Sequence, residues 1–252
     1  MANHPTVRLL RVTNNEQSPY SEGDGSTIRF QSNDSDLHSI NRIHLKTSII
    51  PNTQYNINTK NNTLLVMWSE MSGPVPPLPV GQYTIATFCT ALETALNSVA
   101  TTGFFTVTVN PLTYKITITT TGPNFIIADK TLNPMFMVIG QVTQKTSVGG
   151  ILVCDNIYNL SGLRHVYIES FTLGKSLLTG SVKKYSIIAD IPITVPFGAF
   201  QSDIHTEETL NVVYYRGFKN LSNFQLNLVN ELGEPLELNG APFTLVFEIH
   251  SS

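Results

Sequence analysis

Acid–base or metal chemistry in this chain would have to start from its six histidines, His4, His38, His44, His165, His205 and His250, and they are scattered. None forms the HxH or HExxH spacing that puts two imidazoles on one face with a carboxylate between them. Asp34 and Asp36 form a D-x-D that would suit a hard cation, but Asp and Asn at this density also favour a solvated turn through their own side-chain hydrogen bonds, the reading adopted here. Glu207 and Glu208 are adjacent. In a strand they point to opposite faces, so they make no catalytic carboxylate pair. Gly23-Asp24-Gly25 lacks the third glycine and the strand–helix context of a dinucleotide site, and no GxSxG elbow or P-loop occurs. Catalytic, cofactor-binding and metal-binding residues are therefore assigned to none, and no cofactor is expected. A Ser-His-Asp triad assembled in space stays open, because such triads follow geometry and not chain order.

Composition points the same way. The 252 residues are 41% hydrophobic and only 13% charged, with 15 basic and 18 acidic side chains. Soluble domains are about 25% charged, so Thr, Ser, Asn and Gln must build much of this surface. Disorder is excluded, and a net charge of −3 cannot supply a general phosphate footprint. Nucleic-acid contact is confined at most to an N-terminal arm, where Arg8 and Arg11 precede the first acid, Glu16; an ordinary first strand with exposed arginines is the simpler reading. Cys89 and Cys154 allow one bridge at most and have no zinc or redox spacing, so both are expected reduced and buried. No apolar run approaches the roughly 18 residues of a membrane span, Met135–Ile139 being the longest candidate, and no signal-peptide core is seen, so synthesis in a reducing, cytoplasmic compartment is expected. Sequons at Asn33, Asn61, Asn159 and Asn220 are then chance matches.

The elements that must position any site read as strands. Alternating apolar and polar residues predict strands over 7–12, 27–30, 43–50, 53–57, 64–68, 104–109, 115–120, 125–127, 165–170, 185–191, 210–215, 224–228 and 243–250. Ser18–Ser26 reads as a loop, and Val212-Val213-Tyr214-Tyr215 as core aromatics before a stacking platform. One segment changes period. Ile85, Phe88, Cys89, Leu92, Ala95, Leu96 and Val99 recur at steps of three and four, predicting a helix over 84–99 with Thr84 as N-cap and Gly103 beyond its end. The extended Gly73–Pro79 run precedes it, and a hairpin around Asn110 and Pro111 follows. The fold class is all-β, a single jelly-roll sandwich over 1–252 with a small helix-plus-hairpin elaboration at 78–140; a simpler alternative has the helix and hairpin only covering a sheet edge.

Several stretches carry a resemblance. They are Leu45-Lys46-Thr47-Ser48-Ile49-Ile50-Pro51-Asn52-Thr53-Gln54-Tyr55-Asn56-Ile57-Asn58, then Pro79-Val80-Gly81-Gln82-Tyr83-Thr84, the helix ending Leu92-Glu93-Thr94-Ala95-Leu96-Asn97, Leu173-Gly174, Ile188-Ala189-Asp190-Ile191-Pro192-Ile193, and Leu238-Asn239-Gly240-Ala241-Pro242-Phe243 running into the last strand. In this order they resemble the single-jelly-roll penton or minor capsid proteins of virophages and related polinton-like and adintovirus-type elements. The resemblance implies a non-enzymatic structural protein of the virion. It would form homopentamers at icosahedral five-fold vertices and contact trimers of a double-jelly-roll major capsid protein, with a host receptor as a further possible partner. A jelly-roll spike that binds receptor or glycan is the alternative.

Overall fold

The structure, a computed structural model, describes residues 6–14, 21–22, 25–31, 39–68, 71–128, 134–173, 175–178, 184–206, 212–219 and 223–251. The first stretch of chain gives β1 (Thr6–Thr13), β2 (Ser21–Glu22), β3 (Thr27–Gln31) and β4 (Ile40–Pro51). The middle gives β5 (Leu65–Trp68), β6 (Met71–Pro74), α1 (Ile85–Val99), β7 (Phe105–Val109), β8 (Ile116–Thr120), β9 (Phe125–Ile127), α2 (Phe136–Ile139), β10 (Lys145–Thr146) and β11 (Ile151–Val153). The last gives β12 (His165–Glu169), β13 (Lys175–Leu178), β14 (Lys184–Pro192), β15 (Phe200–Ile204), β16 (Val212–Lys219), β17 (Asn223–Val229) and β18 (Thr244–Ser251). The chain divides into two compact units, 1–54 with 163–252, and 55–162.

The first unit is an antiparallel sandwich. One sheet runs β1-β18-β4-β15, with β16 also paired to β4; the other runs β13-β14-β12-β17-β3-β2. Alternate residues point to opposite faces of a strand, so Ile43, Leu45 and Ile50 on β4 and Leu245, Phe247 and Ile249 on β18 meet Val166, Ile168, Leu226 and Leu228 from the other sheet in one dry core. This is the jelly-roll class expected from the sequence.

The second unit has its own core. Phe88, Leu92 and Leu96 on α1 pack with Val66, Phe125 and Ile127 of the sheet β10-β9-β5-β6 and Val107, Ile118 and Leu152 of the sheet β11-β8-β7. Helix α1 starts where expected: Thr84 Oγ1 accepts from the Thr87 backbone N–H, and Thr87 Oγ1 accepts in return from the Thr84 N–H. The hairpin β7–β8 also forms as expected, with the Asn110 carboxamide oxygen accepting from Leu112 and Thr113 N–H groups. β5 and β6 before α1, and β10 and β11 after β9, complete the sheets of this unit, which spans 55–162.

Two sequence readings change. Residues 53–57 form no strand; only Ile57 bridges to Gly81. The Asn56 carboxamide instead donates to Tyr83 and Leu160 carbonyls at 2.8 and 3.1 Å and accepts from the Tyr83 N–H at 2.9 Å, and side-chain bonds of this kind compete with a ladder. Within the expected 18–26 loop, Ser21 and Glu22 pair with β3.

Gly140 ends α2 at φ 76°. A Cβ there would lie 2.4 Å from the Ile157 carbonyl oxygen, so the position needs glycine twice over.

Strand β7 is the outer strand of its sheet, and α1 satisfies its edge. Asn97 donates to the Phe105 carbonyl at 2.9 Å and accepts from the Phe105 N–H at 2.7 Å, while Glu93 accepts from the Val107 N–H at 3.0 Å. A covered edge cannot recruit another strand. Asn97→Ala leaves two backbone groups unsatisfied and is expected to cost about 1–3 kcal/mol, read as a lower urea midpoint. The exposed neighbour Ser98→Ala should leave the midpoint in place; equal effects of the two would contradict the edge-capping role.

Candidate functional site

The polar side chains worth testing for chemistry gather on the outward face of the five-stranded sheet. Cross-strand partners share a face, so the registers define three outward rows. Arg11 lies beside Val246, Thr47 and Ile204; Leu9 beside Glu248 and His44; Val7 beside His250, Arg42 and Tyr214. The centre is charged and the flanks are apolar: Leu9 is 70% exposed, Tyr214 62% and Ile204 84%.

Glu248 holds the centre together. It accepts from His250 Nε2 at 2.7 Å and pairs with Lys46 Nζ at 3.3 Å, and these two partners hold its carboxyl below the usual range, the His250 bond first and burial working against them. The Arg42 guanidinium lies over the Tyr214 ring, 5.6 Å from its centroid. His44 shows no exposed surface, and burial, then Lys46, push its pKa down; Glu248 and the Thr206 backbone act in the opposite sense without reversing it.

Ser48 faces the core, opposite the buried Leu245, and its hydroxyl lies 3.0 Å from His205 Nε2. This is the one serine–histidine contact among the described hydrogen bonds. Asp203, which tends to raise the His205 pKa, gives both carboxylate oxygens to the Gln201 amide at 2.9 and 3.0 Å. Burial dominates and pushes the His205 pKa down. A buried hydroxyl with its histidine shielded from solvent serves to satisfy two polar groups at the sheet end.

Two further groups are structural in the same sense. Asp155 binds Lys145 at 2.7 Å and the Gln141 amide at 2.6 Å, which ties the turn after α2 and lowers the Asp155 pKa, with the Lys145 bond as the largest cause. His165 Nδ1 sits 2.8 Å from Asp190 and stacks on Tyr167 on the other sheet's exposed side.

The fate of the remaining sequence candidates is mixed. Cys89 and Cys154 are free and buried, and burial pushes the Cys154 thiol up to about 12. Tyr214 departs from the core reading of 212–215: strand alternation puts Val213 inside and Tyr214 outside. Asn61 and Asn159 spend their side chains on local turns. His4, His38, Asp34, Asp36, Glu207, Glu208, Gly23, Asp24, Asn33 and Asn220 lie outside the described residues. Among the described residues no three His, Cys, Asp or Glu side chains come together as metal ligands, and no helix is long and apolar enough to cross a membrane. The outward cluster had a signal in the sequence, the pairs His44-x-Lys46 and Glu248-x-His250, since residues two apart on a strand share a face.

No protein-family model matches the sequence, and no curated protein matches it. Solved structures do. The crystal structure of the mavirus penton protein superposes with a TM-score of 0.51 at 14% identity, covering 98% of this chain and 100% of that one. A chain from the cryo-EM structure of the Sputnik virophage has a TM-score of 0.48 at 12% identity, covering 98% of each chain. The fold of the mavirus penton protein is thus shared over nearly the whole chain.

The lowered histidines make stability depend on pH. Above the ordinary value of 6.5, His44 and His205 are neutral in both folded and unfolded chain. Below it the unfolded chain takes up protons first, so stability falls as pH drops from 6.5 toward the folded-state values. Glu248 adds a further loss below its ordinary 4.5, as pH falls through its depressed folded value. Melting temperature should therefore be flat from pH 8 to 7 and fall from 6.5 to 5, with a shallower fall in the double variant His44→Gln/His205→Gln. An identical slope in that variant would contradict the assignment.

Proposed function

We propose that this chain is a structural capsid protein, the penton that forms homopentamers at icosahedral five-fold vertices. The observation that carries this reading is the shared fold with a penton protein along 98% of the chain, in a sequence whose ordered stretches resemble the same proteins. On this reading the 1–54 and 163–252 segments are the single jelly roll and the 55–162 unit is its insertion. The location is the virion, and the outer partners are trimers of a double-jelly-roll major capsid protein, with a host receptor reached through exposed loops.

The mechanism is geometric and no covalent chemistry enters it. Five copies stand side by side through one repeated head-to-tail contact, and a rotation of one fifth of a turn per contact closes the ring. The low charge content suits such packing: with 13% of residues charged, few charges must be desolvated at a contact.

Native mass spectrometry of the purified protein across a concentration series tests this. Five 27.8 kDa chains give a species of roughly 139 kDa, and this species should grow with concentration at the expense of monomer. A trimer would transfer the chain to the spike reading, and a monomer at every concentration would contradict ring formation by this chain alone.

A further inference from the structure

We propose that the outward face of the five-stranded sheet is the receiving half of the contact between copies, and that the inserting half is the acidic turn joining β17 to β18 of the next copy. This rests on the ring reading above and specifies its surfaces.

The face is built to receive. From β1 to β15 it spans four strands, about 14 Å at ordinary strand spacing, which is the width of one tight turn. Its flanks carry Val7, Leu9, Ile204 and Tyr214, all more than half exposed. Arg11 adds positive charge on β1, and of the central ions Lys46 and Glu248 already neutralise each other.

The turn between β17 and β18 is acidic. From Asn220 to Ser252 there is no lysine or arginine, while Glu231, Glu234 and Glu237 fall within seven residues. Glu231 and Glu237 are exposed, and between them Leu232 stands 65% exposed. The turn is held rigid by its own bonds. Asn230 Oδ1 accepts from the Leu232 and Glu234 N–H groups at 2.9 and 3.0 Å, its amide donates to the Glu234 carboxylate at 3.0 Å, and the Asn230 N–H donates to the Glu234 carbonyl at 2.9 Å. Gly233 supplies the left-handed residue at φ 73°. A turn ordered before contact forfeits little entropy on docking.

The occupant is a second copy, and charge decides the orientation. Face against face would set Arg11 against a cation of the same kind. Face against turn joins opposite charges and buries Leu232 among apolar flanks. Because the two halves are unlike patches of one surface, the contact is heterologous, and repeated contacts of this class make rings or filaments in place of two-fold dimers.

Charge exchange tests the assignment. Arg11→Glu and Glu231→Lys are prepared singly and together, with Leu232→Asp as an apolar-side variant, and each is checked by thermal melting for an unchanged fold. By native mass spectrometry each single variant should require at least tenfold more protein than wild type to form the closed species, and the Arg11→Glu/Glu231→Lys combination should recover most of that loss. Single variants that assemble like wild type, or a combination as defective as either alone, would overturn the contact while leaving the ring standing. A wild-type chain that never assembles would instead overturn the ring and this contact with it.

Discussion

Strand β4 is the constraint on which the first unit depends. Its twelve residues pair with β18 along one edge and with both β15 and β16 along the other. Its inward residues Ile40, Ile43, Leu45 and Ile50 are dry, and its outward residues place Arg42, His44 and Lys46 on the surface face. A shift of one residue in its register would exchange these two sets. The bulge opposite Val246 and Phe247 matters for the same reason, because it leaves Lys46 and Thr47 facing outward while Ser48 returns to the core side. Core and surface chemistry are thus fixed by one alignment.

The second unit solves a different problem. Seven short strands in two sheets have several edges, and helix α1 both fills the core and satisfies the β7 edge through Asn97 and Glu93. Beyond this edge contact, Phe88, Leu92 and Leu96 place it at the centre of the unit's own hydrophobic core. Closed edges of this kind exclude uncontrolled strand pairing between copies.

Much of the fold was legible because its long strands obey simple alternation. Phe125–Ile127 and the helix ending at Val99 were read to the residue, and β1, β4, β8 and β18 to within a few. Strand β15 was missed because its pattern is inverted: Gln201 and Asp203 point inward and bind each other, while Phe200 and Ile204 point out. The false strand at 53–57 has a related cause, since Asn56 and Asn61 satisfy the backbone with side chains, which periodicity does not register. Short pieces such as β10 and β11 carry too few residues for any period. The outward cluster joins residues from Arg11 to His250, and only the register across β1, β18, β4 and β16 brings them together. Tyr214 was placed on the wrong side for want of that register.

In the proposed five-fold ring, the charged sheet face of each sandwich is covered by the next copy. A cryo-EM reconstruction of the purified assembly tests this most directly, because symmetry and contact surface are read from one map. The expected map shows five-fold rings in which Leu9 and Arg11 of each copy lie under the 230–237 turn of its neighbour. Rings with that face open to solvent, or assemblies of another symmetry, would contradict it.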